Sequence, residues 1–229
     1  NIDVVVVNGE NIAGGRGISR KTLDEIYRAG ADIVTSGNHI WDQKEIVSFI
    51  DDEPFLIRPA NYPEGAPGKG YCIYPFKAKN IGVINVSGRT FMPPMDCPFQ
   101  KVDEILKEIK NQCDIILVDI HAEATSEKIA MGFYLDGKVT CVVGTHTHVQ
   151  TADNRILPKG TAYISDLGMV GPYNSSLGIN VNNAIDKFIT CRPVRFEMAE
   201  GPNIFSAVVL ELAEDNSVKS FERILFNEE

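Results

Sequence analysis

At 229 residues, 44% of them hydrophobic, the chain can fill the core of one domain, and its net charge of −9 excludes an extended nucleic-acid surface, which needs clustered Lys and Arg. No apolar run approaches the roughly 20 residues of a membrane span, and no signal peptide is recognisable. Five dispersed cysteines without a CxxC pair fit the reduced thiols of a cytoplasmic protein better than a disulfide framework.

Residues 2–7, apolar apart from Asp3, read as a buried strand, ending in Asn8-Gly9-Glu10-Asn11 and a Gly-rich loop. The chain opens without Met and enters this strand almost at once, so a strand and a helix are expected ahead of it. Ser19 is placed to cap a helix to about Ala29, with Leu23, Ile26 and Tyr27 on one face. Residues 32–35 read as a strand leading into GNHIWD, and a helix is predicted over 43–50. This βαβ rhythm implies a buried parallel sheet.

Residues 51–70 are rich in Pro, Gly and Asn and read as a long loop with a short strand at 55–57. Strands at 71–76 and 81–86 flank the turn KAKN, and 87–98 is too Pro-rich for a regular element. The stretch around 51–100 therefore reads as an inserted loop or cap region beside a site. Helices over 102–109 and 126–135 alternate with strands at 115–120 and 139–144. Short strands follow near 161–164, 194–198, 204–212 and 218–225, interrupted by one helix around 182–189. A βαβ first half and a mainly β second half predict one α/β domain, built of two packed mixed β-sheets flanked by helices (an α/β/β/α sandwich).

The chemistry is carried by the four histidines, which all follow apolar, β-branched runs. They stand in Gly37-Asn38-His39, in Asp119-Ile120-His121, and in GTHTH, which holds His146 and His148. Loops at the carboxyl ends of strands in an open α/β sheet converge on one crevice, so these segments read as one polar site. In an extended segment, residues i and i+2 project to the same side, which suits His146 and His148 to one metal or to two adjacent ones. The plain alternative is a hydrogen-bonded loop pair served by Thr145 and Thr147. His121 and Asn38-His39 are each ambiguous alone, and the NGEN segment also reads as a capped turn. Together, mixed nitrogen and oxygen donors suit Mn, Fe or Zn better than Mg or Ca. Two metals about 3.5–4 Å apart clamp a phosphoryl group and need a bridging carboxylate, for which Glu10 is the candidate.

NGEN, GNH, DIHAEATSEK and THTHVQTADNRILPKGTAYISDLGM, with the loops RPANYPEGAPGKG and GRTFMPPMDCPF, resemble the calcineurin-like metallophosphoesterases. Within them the resemblance is to the YmdB-type branch of 2′,3′-cyclic nucleotide phosphodiesterases, and it covers essentially the whole chain. It implies a metal-dependent phosphodiesterase with two divalent transition metal ions, Fe or Mn before Zn. Glu10 would bridge them, Asn11 and His148 would serve the first, and Asn38, His121 and His146 the second. A metal-bridged hydroxide would attack a small phosphodiester, and His39, not a ligand, would protonate the leaving ribose oxygen. Asp42 would either orient His39 or cap the helix after it. NGEN stands where a GDxxD pattern is expected, and the family's first aspartate, in a GDxxG segment after an opening strand, has no counterpart here. That absence keeps in view a metal-binding regulatory or scaffold protein with little turnover, and a metal-dependent amide or ester hydrolase is a further alternative because two-metal sites serve that chemistry too. Arg16 and Arg89 are candidate phosphate or base contacts, set against plain surface solvation. Association into a homo-oligomer through surface loops is a further expectation.

Overall fold

The computed structural model describes residues 2–228. Its first half runs β1 (Val6–Asn8), α1 (Arg20–Arg28), β2 (Ile33–Thr35), β3 (Tyr71–Phe76), β4 (Lys79–Ser87), α2 (Pro98–Ile109), β5 (Ile115–His121), α3 (Thr125–Leu135) and β6 (Cys141–Thr145). Its second half adds β7 (Arg155–Ile156), β8 (Ala162–Ile164), β9 (Gly171–Pro172), α4 (Val181–Thr190), β10 (Asn203–Leu212) and β11 (Val218–Asn227).

The central sheet has the order β3-β4-β5-β6-β8-β7. Strands β4, β5, β6 and β8 are parallel and inner, while β3 and β7 are antiparallel edges. Parallel strands are buried on both faces, and β5 shows how one sequence serves two cores. Its Ile116, Val118 and Ile120 pack with Val102, Ile105 and Ile109 of α2 and with Met131 and Leu135 of α3. Its Ile115 and Leu117 point the other way, into a core shared with Ile33 and Ile57. Alternation of period 2 then carries Asp119 and His121 onto that second side as well.

The second layer is made of the parallel pair β1-β2 and of the three strands β11-β10-β9. Phe221 and the partly buried Val208 and Leu210 pack it onto Cys141, Ala162 and Ile164. Helix α1 covers the outside, with Leu23 beside Ile18, Val34 and Ile40. Helices, sheet, sheet and helix are therefore stacked in that order. This is the expected sandwich.

The boundaries differ in places, each for a local reason. The predicted strand over 2–7 narrows to β1, because its partner β2 offers only three residues for the ladder. The helix predicted at 43–50 folds as two 3-10 turns, Lys44–Ser48 and Ile50–Asp52. Gln43 supplies no cap there, since its amide instead bonds the carbonyls of Arg16 and Ala13. Residues 55–57 form only bridges to Val34 and Lys69. Residues 194–198 form no strand beyond one bridge at Met198, next to a proline that cannot donate. Helix α2 starts earlier than predicted, with Pro98 in its first turn, where a missing N–H costs nothing. No described helix is long and apolar enough to cross a membrane.

Candidate metal centre

The registers bring five strand ends together. Asn8 pairs with Thr35 in one sheet, while Ser87, His121 and Thr145 lie side by side in the other. His121 closes β5, and the turns that follow the other strands hold Glu10, Asn11, Asn38, His39, His146 and His148.

Around His121 Nε2 three groups converge. Glu10 Oε1, Asn38 Oδ1 and His146 Nδ1 each lie 3.0 Å from it. Gly37 makes this approach possible, because a Cβ there would stand 2.3 Å from His121 Nε2 and 2.4 Å from Glu10 Oε1. The glycine of GNH is thus a steric requirement of the site.

The hydrogen bonds behind His121 decide which ring nitrogen carries a proton when the ring is neutral. Buried Asp119 accepts hydrogens from Thr35 Oγ1 (2.6 Å), Thr145 Oγ1 (2.7 Å) and Asn8 Nδ2 (3.0 Å). Burial pushes its carboxyl upward, and those donors pull it back. Thr145 gives its only hydrogen to Asp119, so toward His121 Nδ1, 3.0 Å away, it acts as an acceptor. The proton then sits on Nδ1, and Nε2 presents a bare lone pair to three other lone-pair donors. A single hydrogen could satisfy one of those neighbours. A cation satisfies them all.

The charges fit that reading. Burial would raise the Glu10 carboxyl, but His121 whenever its ring is charged, and the His39 backbone N–H (2.9 Å), hold it at about 2, so it is an anion at neutral pH. Burial first, and His121 second, lower His146 to about 4, which leaves its ring neutral at pH 7 and able to ligate. The ligand atoms of Glu10, His121 and His146 all lie within 4.8 Å of one another.

His148 lies to the other side of Glu10. Its Nε2 is 3.2 Å from Asn11 Nδ2, and the same amide lies 3.3 Å from Glu10 Oε2. Its buried Nδ1 has no hydrogen-bond partner. The Asn11 NH2 thus sits between the far oxygen of Glu10 and His148, apart from Asn38, His121 and His146, and it is with the amide turned over that Oδ1 and His148 Nε2 would face one point there. The extended geometry expected for the HTH segment is not adopted: His146 and His148 have φ of 102° and 66°. Such left-handed conformations are costly for non-glycine residues and persist only where the surroundings impose them. Here Asp166 Oδ2 takes the Thr147 N–H (3.0 Å) and hydroxyl (2.7 Å) and pairs with buried Lys128 Nζ at 2.7 Å.

His39 stands outside both groups of donors. Its Nδ1 is 2.9 Å from Asp42 Oδ2, so Asp42 orients His39 rather than capping a helix. Arg16 approaches Asp42 at 3.8 Å, with 66% of its side chain exposed. Sequence reasoning missed Glu123, whose Oε2 is 3.2 Å from His146 Nε2, and it missed the Lys128–Asp166 pair. The only available signal was that these residues lie in the same segments as the histidines. Replacing Thr145 by Val should release the Nδ1 proton and weaken metal binding about 10- to 100-fold. Titration of the apo chain with Mn would measure this, and unchanged affinity would refute the relay through Asp119.

The sequence model of the YmdB-like protein family matches residues 1–224. The chain belongs to that family. It is 53% identical over 226 residues to the 2′,3′-cyclic-nucleotide 2′-phosphodiesterase of Bacillus subtilis (strain 168), covering 98% of this chain and 85% of that protein. Among solved structures, a hypothetical protein from Thermus thermophilus superposes with a TM-score of 0.95 at 41% identity, covering 100% of this chain and 89% of the other. A phosphatase from Mycoplasma pneumoniae superposes with a TM-score of 0.92 at 36% identity, covering 99% and 83%. The resemblance read from NGEN, GNH and GTHTH is therefore one of common fold along the chain, not of isolated motifs.

Proposed function

We propose that this YmdB-like enzyme, a phosphoester hydrolase, cleaves 2′,3′-cyclic nucleotides or closely similar small phosphodiesters at a centre of two divalent transition metal ions, Fe or Mn. The observation that carries this reading is the convergence of Glu10, Asn38 and His146 on Nε2 of His121. Its support from relatives is the activity named for the Bacillus protein, over nearly the whole chain.

Glu10 has two carboxylate oxygens directed at different partners, Oε1 at His121 and Oε2 at Asn11, as a bridging ligand requires. Asn38, His121 and His146 would hold one ion, and Asn11 and His148 the other. When bound, the ions supply positive charge against the phosphoryl oxygens and make a water-derived nucleophile available at neutral pH. Water adds to phosphorus, one ribose oxygen leaves, and that oxygen takes a proton. His39 is the donor in this reading: Asp42 accepts from Nδ1–H, the charged ring also carries the transferable proton on Nε2, and handing it to the ribose oxygen leaves the neutral Nδ1–H ring. The Glu10 anion, being a ligand, is not available for that proton.

The test is metal analysis together with hydrolysis. The chain should take up two equivalents of Mn and hydrolyse a 2′,3′-cyclic nucleotide, and stripping with a chelator should abolish turnover until Mn is restored. Full activity of the stripped chain would overturn the metal reading. Hydrolysis of amides or carboxylic esters, but of no phosphodiester, would overturn the substrate class.

A further inference from the structure

We infer that the loop over residues 88–97 carries the seat for the nucleobase of the substrate, with Phe91 as a stacking platform and Arg89 beside it. This rests on the phosphodiesterase reading above for the identity of the ligand, but its geometry is independent of the metal ligands.

The loop begins at the metal centre. Ser87 is paired in register with His121, and Gly88 N–H donates to the His121 carbonyl at 2.9 Å. Both of its ends are stapled. Glu127 accepts from the backbone N–H of Arg89 (3.0 Å) and of Thr90 (3.1 Å). Asn61, itself fully buried, donates to the carbonyls of Ser87 (2.8 Å) and Asp96 (2.9 Å) and accepts from Ser87 N–H (2.8 Å). A loop held this way keeps what it displays at a fixed distance from the reacting phosphorus.

What it displays is an aromatic ring. Phe91 is 90% exposed, the most exposed of the large apolar residues described, and its φ is 61°. A bulky residue in the left-handed region is strained, and strain of this kind clusters at ligand sites. Folding alone would favour burying this ring or replacing it by glycine. Its chain neighbours Arg89, Thr90 and Met92, with Pro94, Met95 and Glu127, line an open pocket of about 590 Å³. That volume falls in the range of small-ligand sites.

The lining selects the ligand class. Methionine side chains adapt to flat rings, and an arginine plane stacks on them. Glu127 brings negative charge, which disfavours a second phosphate in the cavity and leaves a neutral heterocycle as the matching group. A 2′,3′-cyclic nucleotide has one phosphodiester for the metal centre and one such ring a sugar away. Because every base has a π-face, the seat should be tolerant of base identity.

Two variants test this. In Phe91→Trp, a nucleoside 3′-monophosphate should quench the new tryptophan's fluorescence, and glycerol phosphate should not. In Phe91→Ala, KM for a 2′,3′-cyclic nucleotide should rise about 5- to 150-fold. For a base-free cyclic diester, propanediol cyclic phosphate, the rise should be at least about fivefold smaller. Phe91→Tyr should restore the nucleotide KM, which loss of loop structure alone would not explain. Equal effects on both substrates, or absence of quenching, would overturn the seat. If the wild-type chain hydrolyses no cyclic nucleotide, the phosphodiesterase reading fails, while the quenching measurement still decides whether a base binds at residue 91.

Discussion

His39→Ala is expected to lower kcat for a 2′,3′-cyclic nucleotide by about 10²- to 10⁴-fold, the usual contribution of a positioned proton donor, while leaving metal content unchanged. Two features separate this residue from the proposed ligands. Its ring is held by Asp42 at 2.9 Å and keeps 28% of its side-chain surface exposed, whereas that of His121 is fully buried. Its contact with Glu10 is made by the backbone N–H, which alanine retains. The loss should shrink for a p-nitrophenyl diester, because p-nitrophenolate departs without a proton. Asp42→Asn should lower kcat in the same sense, again with metal content intact. If His39→Ala lost metal, or slowed both substrates alike, His39 would be part of the metal centre and not its acid.

Lys128→Ala is expected to destabilise the fold by about 3–5 kcal/mol, because it leaves a buried carboxylate without its counter-ion. Lys128 and Asp166 are each 1% exposed, and their 2.7 Å contact joins α3 to the segment after β8. The stem of Lys128 also fills the space beside Gly144, where a Cβ would lie 1.8 Å from the Ser165 carbonyl oxygen and 2.7 Å from Lys128 Cδ. Urea unfolding of the metal-free variant would measure the loss. A double variant, Lys128→Met with Asp166→Asn, should recover much of that stability, since a neutral buried pair no longer strands a charge. It should nevertheless bind metal poorly, because the carboxylate that fixes Thr147 and so imposes the left-handed turns at His146 and His148 is gone. Stability and metal affinity that recover together would show that the ion pair serves folding only.

The candidate donors were legible because each stands at or just after a strand end marked by the apolar run before it. Asn38 after β2, His121 at the end of β5 and His146 after β6 follow directly from the way parallel strands bury both faces and end in one crevice. The alternation along β5 was equally local, and it placed His121 on the same side as Asp119. The 3-10 turns at 44–52 were not legible, because the spacing of apolar residues suits a 3-10 turn as well as an α-helix over so few residues.

The sequence by itself determined which side chains can ligate metal, and which strands deliver them, since both depend on residue type and on neighbours a few positions away. The tertiary structure decided how those side chains are used. Asn8, Thr35 and Thr145 reach Asp119 across separations of 111, 84 and 26 residues, and that contact selects the ring nitrogen His121 offers. Lys128 and Asp166 meet across 38 residues and hold the histidine turn in a conformation no local preference favours. Proton position and strained backbone are set by groups packed from other elements, so they exist only once the two sheets have closed on each other.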